Sequence, residues 1–221
     1  MKKIIEEITK RNFMNQGGIY EKERGDVFRQ IIGVGKKVMD IGARHGSLTK
    51  HFIEGNDLTG VDIDEENLQI LKDKFHCSTI ALDLNEDLDV LGVGLWDAIV
   101  MSEVIEHIFY PEKKVEQISR LLKSDGVFVG SVPNGFSLMN RIRLFLGKAE
   151  GTTMADPTHV FHFSYRRLKT MLEKHFTDVE ILPMQKSRYM FLARISPNLF
   201  GFLLVFICKK PIFRKEPAVI A

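Results

Sequence analysis

The chain has 221 residues and only two cysteines, Cys77 and Cys208. Both fall in stretches that read as apolar strands, so they are expected to be buried thiols in a reducing compartment, not a disulfide or a metal pair. Charge of one sign is also lacking. Thirty-one Lys and Arg face 29 Asp and Glu, for a net charge of +2 and a pI of 8.4. That balance gives no basic stripe for phosphates and no field that implies a membrane. Long apolar runs are missing as well. The most hydrophobic region, Tyr189 to Cys208, is interrupted by Arg194, Pro197 and Asn198, well short of the roughly 20 residues a span requires; it reads as core. Met1 to Glu7 has no continuous apolar segment of the signal-peptide kind, and a cytoplasmic protein is expected. With 44% hydrophobic residues, the chain can bury a full core as one domain.

Glycine is sparse where a dinucleotide fold would need it most. The stretch Lys36-Lys37-Val38-Met39-Asp40-Ile41-Gly42-Ala43-Arg44-His45-Gly46-Ser47-Leu48 opens as a buried strand and then turns on two glycines four apart. Helical spacing resumes over Ser47 to Ile53, which predicts strand, glycine turn, helix. A nicotinamide dehydrogenase would carry G-x-G-x-x-G here, with a pyrophosphate on the helix N-terminus. Asp40, immediately ahead of the turn, would repel that pyrophosphate and suits an ammonium group instead.

With those residues in view, the segment resembles the first motif of the class I S-adenosylmethionine (SAM)-dependent methyltransferases, D/E-x-G-x-G-x-G. Asp40, Gly42 and Gly46 match it, and Arg44 replaces the middle glycine. Four later segments follow in the same order. Leu58 to Asp62 reads as a second buried strand ending in an acid about 20 residues past Gly42, the offset for a carboxylate that accepts from two ribose hydroxyls. Cys77 to Leu82 reads as a third strand followed by Asp83. Trp96 to Ile108 matches F-D-x-V-x-x-x-x-V-x-E-H with Trp96 in place of Phe, and Val127 to Asn134 resembles the family segment ending S-x-P-N.

The resemblance implies an α/β fold with a doubly wound, mostly parallel seven-stranded sheet whose last strand, Phe202 to Cys208, is antiparallel. It also implies SAM contacts from Asp40, Gly42, Ala43, Arg44 and Gly46 in the loop, and from Asp62 and Ile63 after strand two. Asp83 and Leu84 would read the adenine, and Ser102, at the end of strand four, would complete the cofactor contacts. Between these motifs, Asp64 caps a helix to about His76, Pro111 starts one to Lys123, Leu138 to Leu146 reads as a helix, Ser164 caps one to His175, and Val179 to Leu182 is the sixth strand.

Methyl transfer from a sulfonium is an in-line displacement that needs an aligned, deprotonated nucleophile, supplied by a nearby base or a bound metal. Glu103, Glu106 and His107, spaced i, i+3 and i+4, are expected on one helical face. With His159 of Asp156-Pro157-Thr158-His159 they form a Glu/Glu/His/His set, to which His162 is an alternative contributor. This set resembles the site of small-RNA terminal 2′-O-methyltransferases and one suggested for ubiquinone-pathway O-methyltransferases. It implies His107, His159 and Glu106 as catalytic residues, or Mg²⁺ or Mn²⁺ held by Glu103, Glu106, His107 and His159; the bland reading leaves Glu103 as a helix cap and His107 packed on the cofactor. The expected organisation is an N-terminal helical segment over 1–35, a methyltransferase domain over 36–210 with an acceptor-side lid at about 136–163, and a tail over 211–221. The expected activity is O-methylation of a small-molecule, lipid-linked or glycan hydroxyl. A 2′-O-methyltransferase on an RNA 3′ end and a non-catalytic SAM-binding domain are the alternatives, and the near-neutral charge disfavours nucleic acid.

Overall fold

The computed structural model describes residues 20–213. Its centre is one seven-stranded sheet in the order β3-β2-β1-β4-β5-β7-β6. The strands are β1 (Lys37–Ile41), β2 (Asp57–Asp62), β3 (Ser78–Ala81), β4 (Trp96–Ser102), β5 (Leu122–Pro133), β6 (Phe176–Met184) and β7 (Leu203–Pro211). The first five are parallel to one another, and β7 lies antiparallel between β5 and β6. The expected fold class is therefore observed, as is the antiparallel last strand.

Alternation along the strands sends neighbouring residues to opposite faces, and each face has its own cluster. Met39, Ile41, Ile99, Met101, Phe128 and Phe206 pack on one side with helices α3 (Pro111–Leu121) and α5 (Tyr165–Glu173) through Val115, Ile118, Leu168 and Leu172. Val38, Ala98, Val100, Val129, Val205 and Ile207 pack on the other with Phe28 and Ile32 of α1 (Glu21–Ile32) and with Phe52. Both faces are covered, which is why these strands read as continuous apolar runs. Asp64 caps α2 (Glu65–Phe75) by accepting from the backbone N–H groups of Glu66 and Asn67, and Ser164 caps α5 through the Arg167 N–H. The part of the expected 1–35 helical segment that precedes Tyr20 lies outside the described residues, as does the end of the 211–221 tail.

Three expectations are corrected. The helix over Ser47 to Ile53 is a single 3-10 turn, Thr49–His51. Gly46 and Gly55 both take positive φ, and the Asn56 side-chain amide donates to the carbonyls of Gly33 and Phe52, so the chain turns before a second helical turn forms. Cys77 stands just outside β3 and is half-buried, while Cys208 is fully buried in β7; both are free thiols. The region Tyr189 to Phe202 is not core. It forms two short helices, α6 (Met190–Ile195) and α7 (Pro197–Phe200), and Phe191, Leu192, Ile195 and Phe202 remain exposed. Only the strand that follows is core.

Candidate active site

The site gathers at the carboxyl ends of β1, β2 and β4, as the topology of an open α/β sheet requires. Asp40, next to last in β1, is buried, and Thr49 Oγ1 donates to its Oδ2 at 2.6 Å. Burial, reinforced by the negative charge of Asp62, pushes its carboxyl up to about 7 against the pull of the Thr49 bond. A buried acid in this state is prepared to gain from a cationic partner.

The loop beyond it is held closely. Gly42 and Ala43 both donate to the Val61 carbonyl, at 2.7 and 3.2 Å. A Cβ on Gly42 would lie 2.3 Å from Val104 Cγ2, and one on Gly46 would lie 2.4 Å from the Phe75 ring. Both glycines have positive φ, and Arg44 joins them at φ 50. The arginine therefore keeps the left-handed turn that the family's glycine would make, a conformation costing of order 1 kcal/mol for a residue with a Cβ. Its backbone N–H donates to Asp62 Oδ2 at 2.9 Å, and Asp64 N–H donates to Oδ1 at 3.0 Å. Asp62 thus ties the glycine loop to the start of α2. Burial raises its pKa, and these backbone donors oppose the shift.

Ile63 beside it is half-exposed, and Leu84 packs at the edge of the core. Asp83 Oδ1 accepts from the backbone and side-chain amides of Asn85, at 3.0 and 2.9 Å.

At the end of β4, Ser102 Oγ lies 2.7 Å from Ser131 Oγ, and one guanidinium nitrogen of Arg24 donates to both hydroxyls, at 2.9 and 3.1 Å. The same nitrogen stands 3.3 Å from Glu103 Oε1. Arg24, in α1, is almost fully buried. Sequence reading missed it, and no local signal marks it, because its partners lie 78 and 107 residues away.

Glu103 is also where the expected shared helical face breaks down. It takes φ 56, and only Ile105–His107 make a 3-10 turn. Glu103 consequently turns to Arg24 and lies outside the group formed by Glu106, His107 and His159, whose ligand atoms come within 4.8 Å of one another. The loop carrying His159 is fastened to that turn. Val160 and Phe161 both donate to the Glu106 carbonyl, at 3.1 and 2.9 Å.

A carbonyl only accepts, so the contacts of His107 Nδ1 with Thr158 O (2.9 Å) and of His159 Nδ1 with Thr153 O (3.1 Å) fix Nδ1 as the proton-bearing nitrogen in both rings. Each Nε2 is left with a lone pair when the ring is neutral. The rings meet edge to face, with centroids 4.8 Å apart. Burial lowers the His107 pKa, which favours the neutral base. Glu106 is fully buried, neither of its carboxylate oxygens has a partner from another described residue, and burial raises its pKa well above the usual range. His162 contacts the His159 ring at 6.3 Å but stands outside the three-residue group. His159 Nε2 also lies 3.7 Å from Asp156 Oδ2, and two imidazoles beside a carboxylate are a donor set that would fit one divalent cation of intermediate hardness.

The segment that carries His159 leaves the sheet at Asn134 and returns at Phe163, where the two residues form an isolated parallel bridge. Between them lie α4 (Leu138–Phe145), which buries none of its residues, and a 3-10 turn at Thr153–Ala155.

A family model described as a methyltransferase domain matches residues 20–178. The chain is 33% identical over 113 residues to the ubiquinone biosynthesis O-methyltransferase of Chromobacterium violaceum, covering 48% of this chain and 46% of that one. It is 30% identical over 140 residues to the protein of the same name from Psychrobacter cryohalolentis, covering 59% and 51%. The chain spans about half the length of these curated relatives. A SAM-dependent methyltransferase from Archaeoglobus fulgidus superposes with a TM-score of 0.69 at 21% identity, over 93% of this chain and 99% of that one. Phosphoethanolamine N-methyltransferase 2 of Haemonchus contortus, solved with S-adenosyl-L-methionine, gives 0.63 at 16% identity, over 91% and 55%. These two likenesses show the fold, and among the described residues no helix is long and apolar enough to cross a membrane. With the matched domain covering well over half of the sequence, the chain belongs to the methyltransferase-domain family.

Proposed function

We propose that the chain methylates an oxygen of a hydroxyl acceptor, on a small molecule, a lipid-linked compound or a glycan. The observation that carries this reading is the Glu106, His107 and His159 group, with two imidazole Nε2 atoms and a buried, unpartnered carboxylate beside the cofactor loop. The names of the ubiquinone-pathway relatives support an oxygen acceptor.

In this reading Asp40 receives the α-ammonium group of SAM, and Gly42, Ala43, Arg44 and Gly46 follow its methionine end. Asp62 accepts from the ribose hydroxyls, a role its remaining lone pairs allow. Ile63, Asp83 and Leu84 flank the adenine, and Ser102 lies at the floor. The hydroxyl attacks the sulfonium methyl group in line as the C–S bond breaks, releasing S-adenosylhomocysteine (SAH). Its proton passes to Nε2 of His159 or His107, and Glu106 stabilises the imidazolium so formed. Where Mg²⁺ or Mn²⁺ binds, Glu106 and the two Nε2 atoms would hold it, and it would lower the hydroxyl's pKa.

The test is a screen with isotopically labelled SAM against phenols, lipid-linked alcohols, glycans and RNA 3′ ends, with the methylated atom located by mass spectrometry. His159→Ala should leave SAH affinity within about two-fold yet cut turnover about 10²-fold or more; normal turnover would remove His159 from the chemistry. Activity lost to a chelator and restored by Mg²⁺ or Mn²⁺ would add the metal. Activity indifferent to chelator leaves the imidazoles as bases. Methyl on nitrogen or carbon would overturn the oxygen reading, and preferred methylation of RNA ends would replace it with the 2′-O alternative.

A further inference from the structure

Outside the catalytic group, one apolar surface lacks a partner among the described residues. Along α4, Leu138, Met139, Ile142, Phe145 and Leu146 follow the spacing i, i+1, i+4, i+7 and i+8, which places them on one face, and all five are exposed. Phe145 is 90% exposed. On α6, Phe191, Leu192 and Ile195 repeat the pattern, at 72% for Phe191 and 65% for Ile195. The two helices belong to one surface, because α4 packs on α7 and α7 packs on α6. The Asn134 side-chain amide fixes the arrangement by donating to the carbonyls of Gly201 (2.9 Å) and Asn198 (3.1 Å), and Asn140 in turn donates to the Asn134 carbonyl at 3.1 Å.

Charge decides what this surface fits. Residues 136–148 contain Arg141, Arg143 and Lys148 and no acid; residues 185–202 contain Lys186, Arg188 and Arg194 and no acid. These two segments hold six cations and no acid, whereas the rest of the chain has 25 Lys and Arg against 29 Asp and Glu. Arg141 and Arg143 donate to the backbone carbonyls of Phe136 and Glu150, the latter an acidic residue just beyond the first segment, and neither arginine makes an ion pair among the described residues. Apolar stripes rimmed by basic residues on short helices are the pattern of an interfacial membrane contact. A second copy of the same face would set six cations against six, so self-association is electrostatically disfavoured.

We propose that the α4–α6–α7 surface docks on an anionic lipid bilayer, with Phe145 and Phe191 entering the acyl boundary and the arginines meeting the headgroups. The surface follows the carboxyl end of β5, where Ser131 pairs with Ser102 at the end of β4. Such docking does not require the acceptor to be lipid-linked.

The experiment is flotation of the full chain with vesicles of equimolar phosphatidylglycerol and phosphatidylcholine, and with phosphatidylcholine alone. SAH affinity serves as the control for folding. The chain should float with the anionic vesicles, much less with the neutral ones, and binding should fall with added salt. Phe145→Ser with Phe191→Ser should abolish flotation. Each basic charge removed at Arg141, Arg143 or Arg194 should weaken binding about five-fold, and SAH affinity should be unchanged throughout. A chain that ignores both vesicle types, or variants that float as well as the parent, would overturn the proposal. So would light scattering that shows a dimer converted to monomer by the phenylalanine changes, since the face would then join two copies of the chain.

Discussion

At the scale of the residue, the site depends on acids kept in places where water does not reach them. Asp40 is the clearest case. An aspartate has a pKa of about 3.9 in an unfolded chain, and in the fold it is pushed up to about 7. The raised value favours folding when the carboxyl is protonated. That contribution is complete below about pH 4 and is lost as pH rises to about 7. Cofactor binding has the opposite demand, because an ammonium group needs the carboxylate. SAH binding at pH 6 should therefore release a proton and be weaker than at pH 8 by about ten-fold per unit below 7. Calorimetric titration in two buffers with different ionisation heats measures this directly; equal proton release at both pH values would separate Asp40 from the ammonium group. Asp40→Asn should abolish the pH dependence together with most of the affinity. Asp62 makes a different prediction. Its carboxylate already accepts from Arg44 and Asp64 backbone N–H groups, so Asp62→Ala removes both a ribose partner and the tie between loop and α2. Loss of charge-assisted hydrogen bonds worth about 1.5–3 kcal/mol should weaken SAH roughly 10–150-fold. Unchanged affinity would exclude the ribose role.

At the scale of the element, what could be read depended on whether the determinants were local. Strands β1, β4 and β5 were legible because burial on both faces writes itself into the sequence as an unbroken apolar run. The caps at Asp64 and Ser164 were legible because a cap is a contact across three residues. The segment after the glycine turn was not, since Thr49 serves Asp40 and Asn56 ends the turn early, and neither bond alters the helical spacing of Ser47 to Ile53. Of the candidate site, Glu106, His107 and His159 were legible as residue types and do converge, whereas the place of Glu103 depended on a left-handed backbone and a distant arginine. That arginine gives the element-scale prediction. Arg24 joins α1 to the ends of β4 and β5 through Ser102, Ser131 and Glu103. Arg24→Met keeps the length of the side chain and deletes the charge. It should cost about 3 kcal/mol, because it strands polar groups in a closed space, read as a lowered urea midpoint with an unchanged slope. A midpoint within error of the parent would mean that α1 is held by Phe28 and Ile32 alone.

At the scale of the whole molecule, averages concealed what was uneven. The net charge of +2 implied no membrane partner, yet it is the sum of an acidic remainder, 25 Lys and Arg against 29 Asp and Glu, and one basic, apolar face carrying six cations. The hydrophobic stretch from Tyr189 to Cys208 averaged two unlike segments, an exposed helical pair and a core strand. The topology explains why that strand matters beyond its length. β7 is the last strand in sequence but the second from the edge in space, where it pairs with β5 on one side and β6 on the other. Its residues Leu203 to Cys208 are all buried and contribute to both faces of the core. A chain ending at Phe202 keeps every candidate cofactor and catalytic residue but leaves the ladder edges of β5 and β6 unpaired and Phe128 without Phe206. Each large core side chain lost costs about 3–5 kcal/mol, so losing Phe206 together with its neighbours exceeds the 5–15 kcal/mol by which domains are stable. The truncated chain should show no cooperative urea transition and no SAH binding. A sharp transition with SAH affinity intact would instead make β6 and β7 an accessory to a sheet complete at β5.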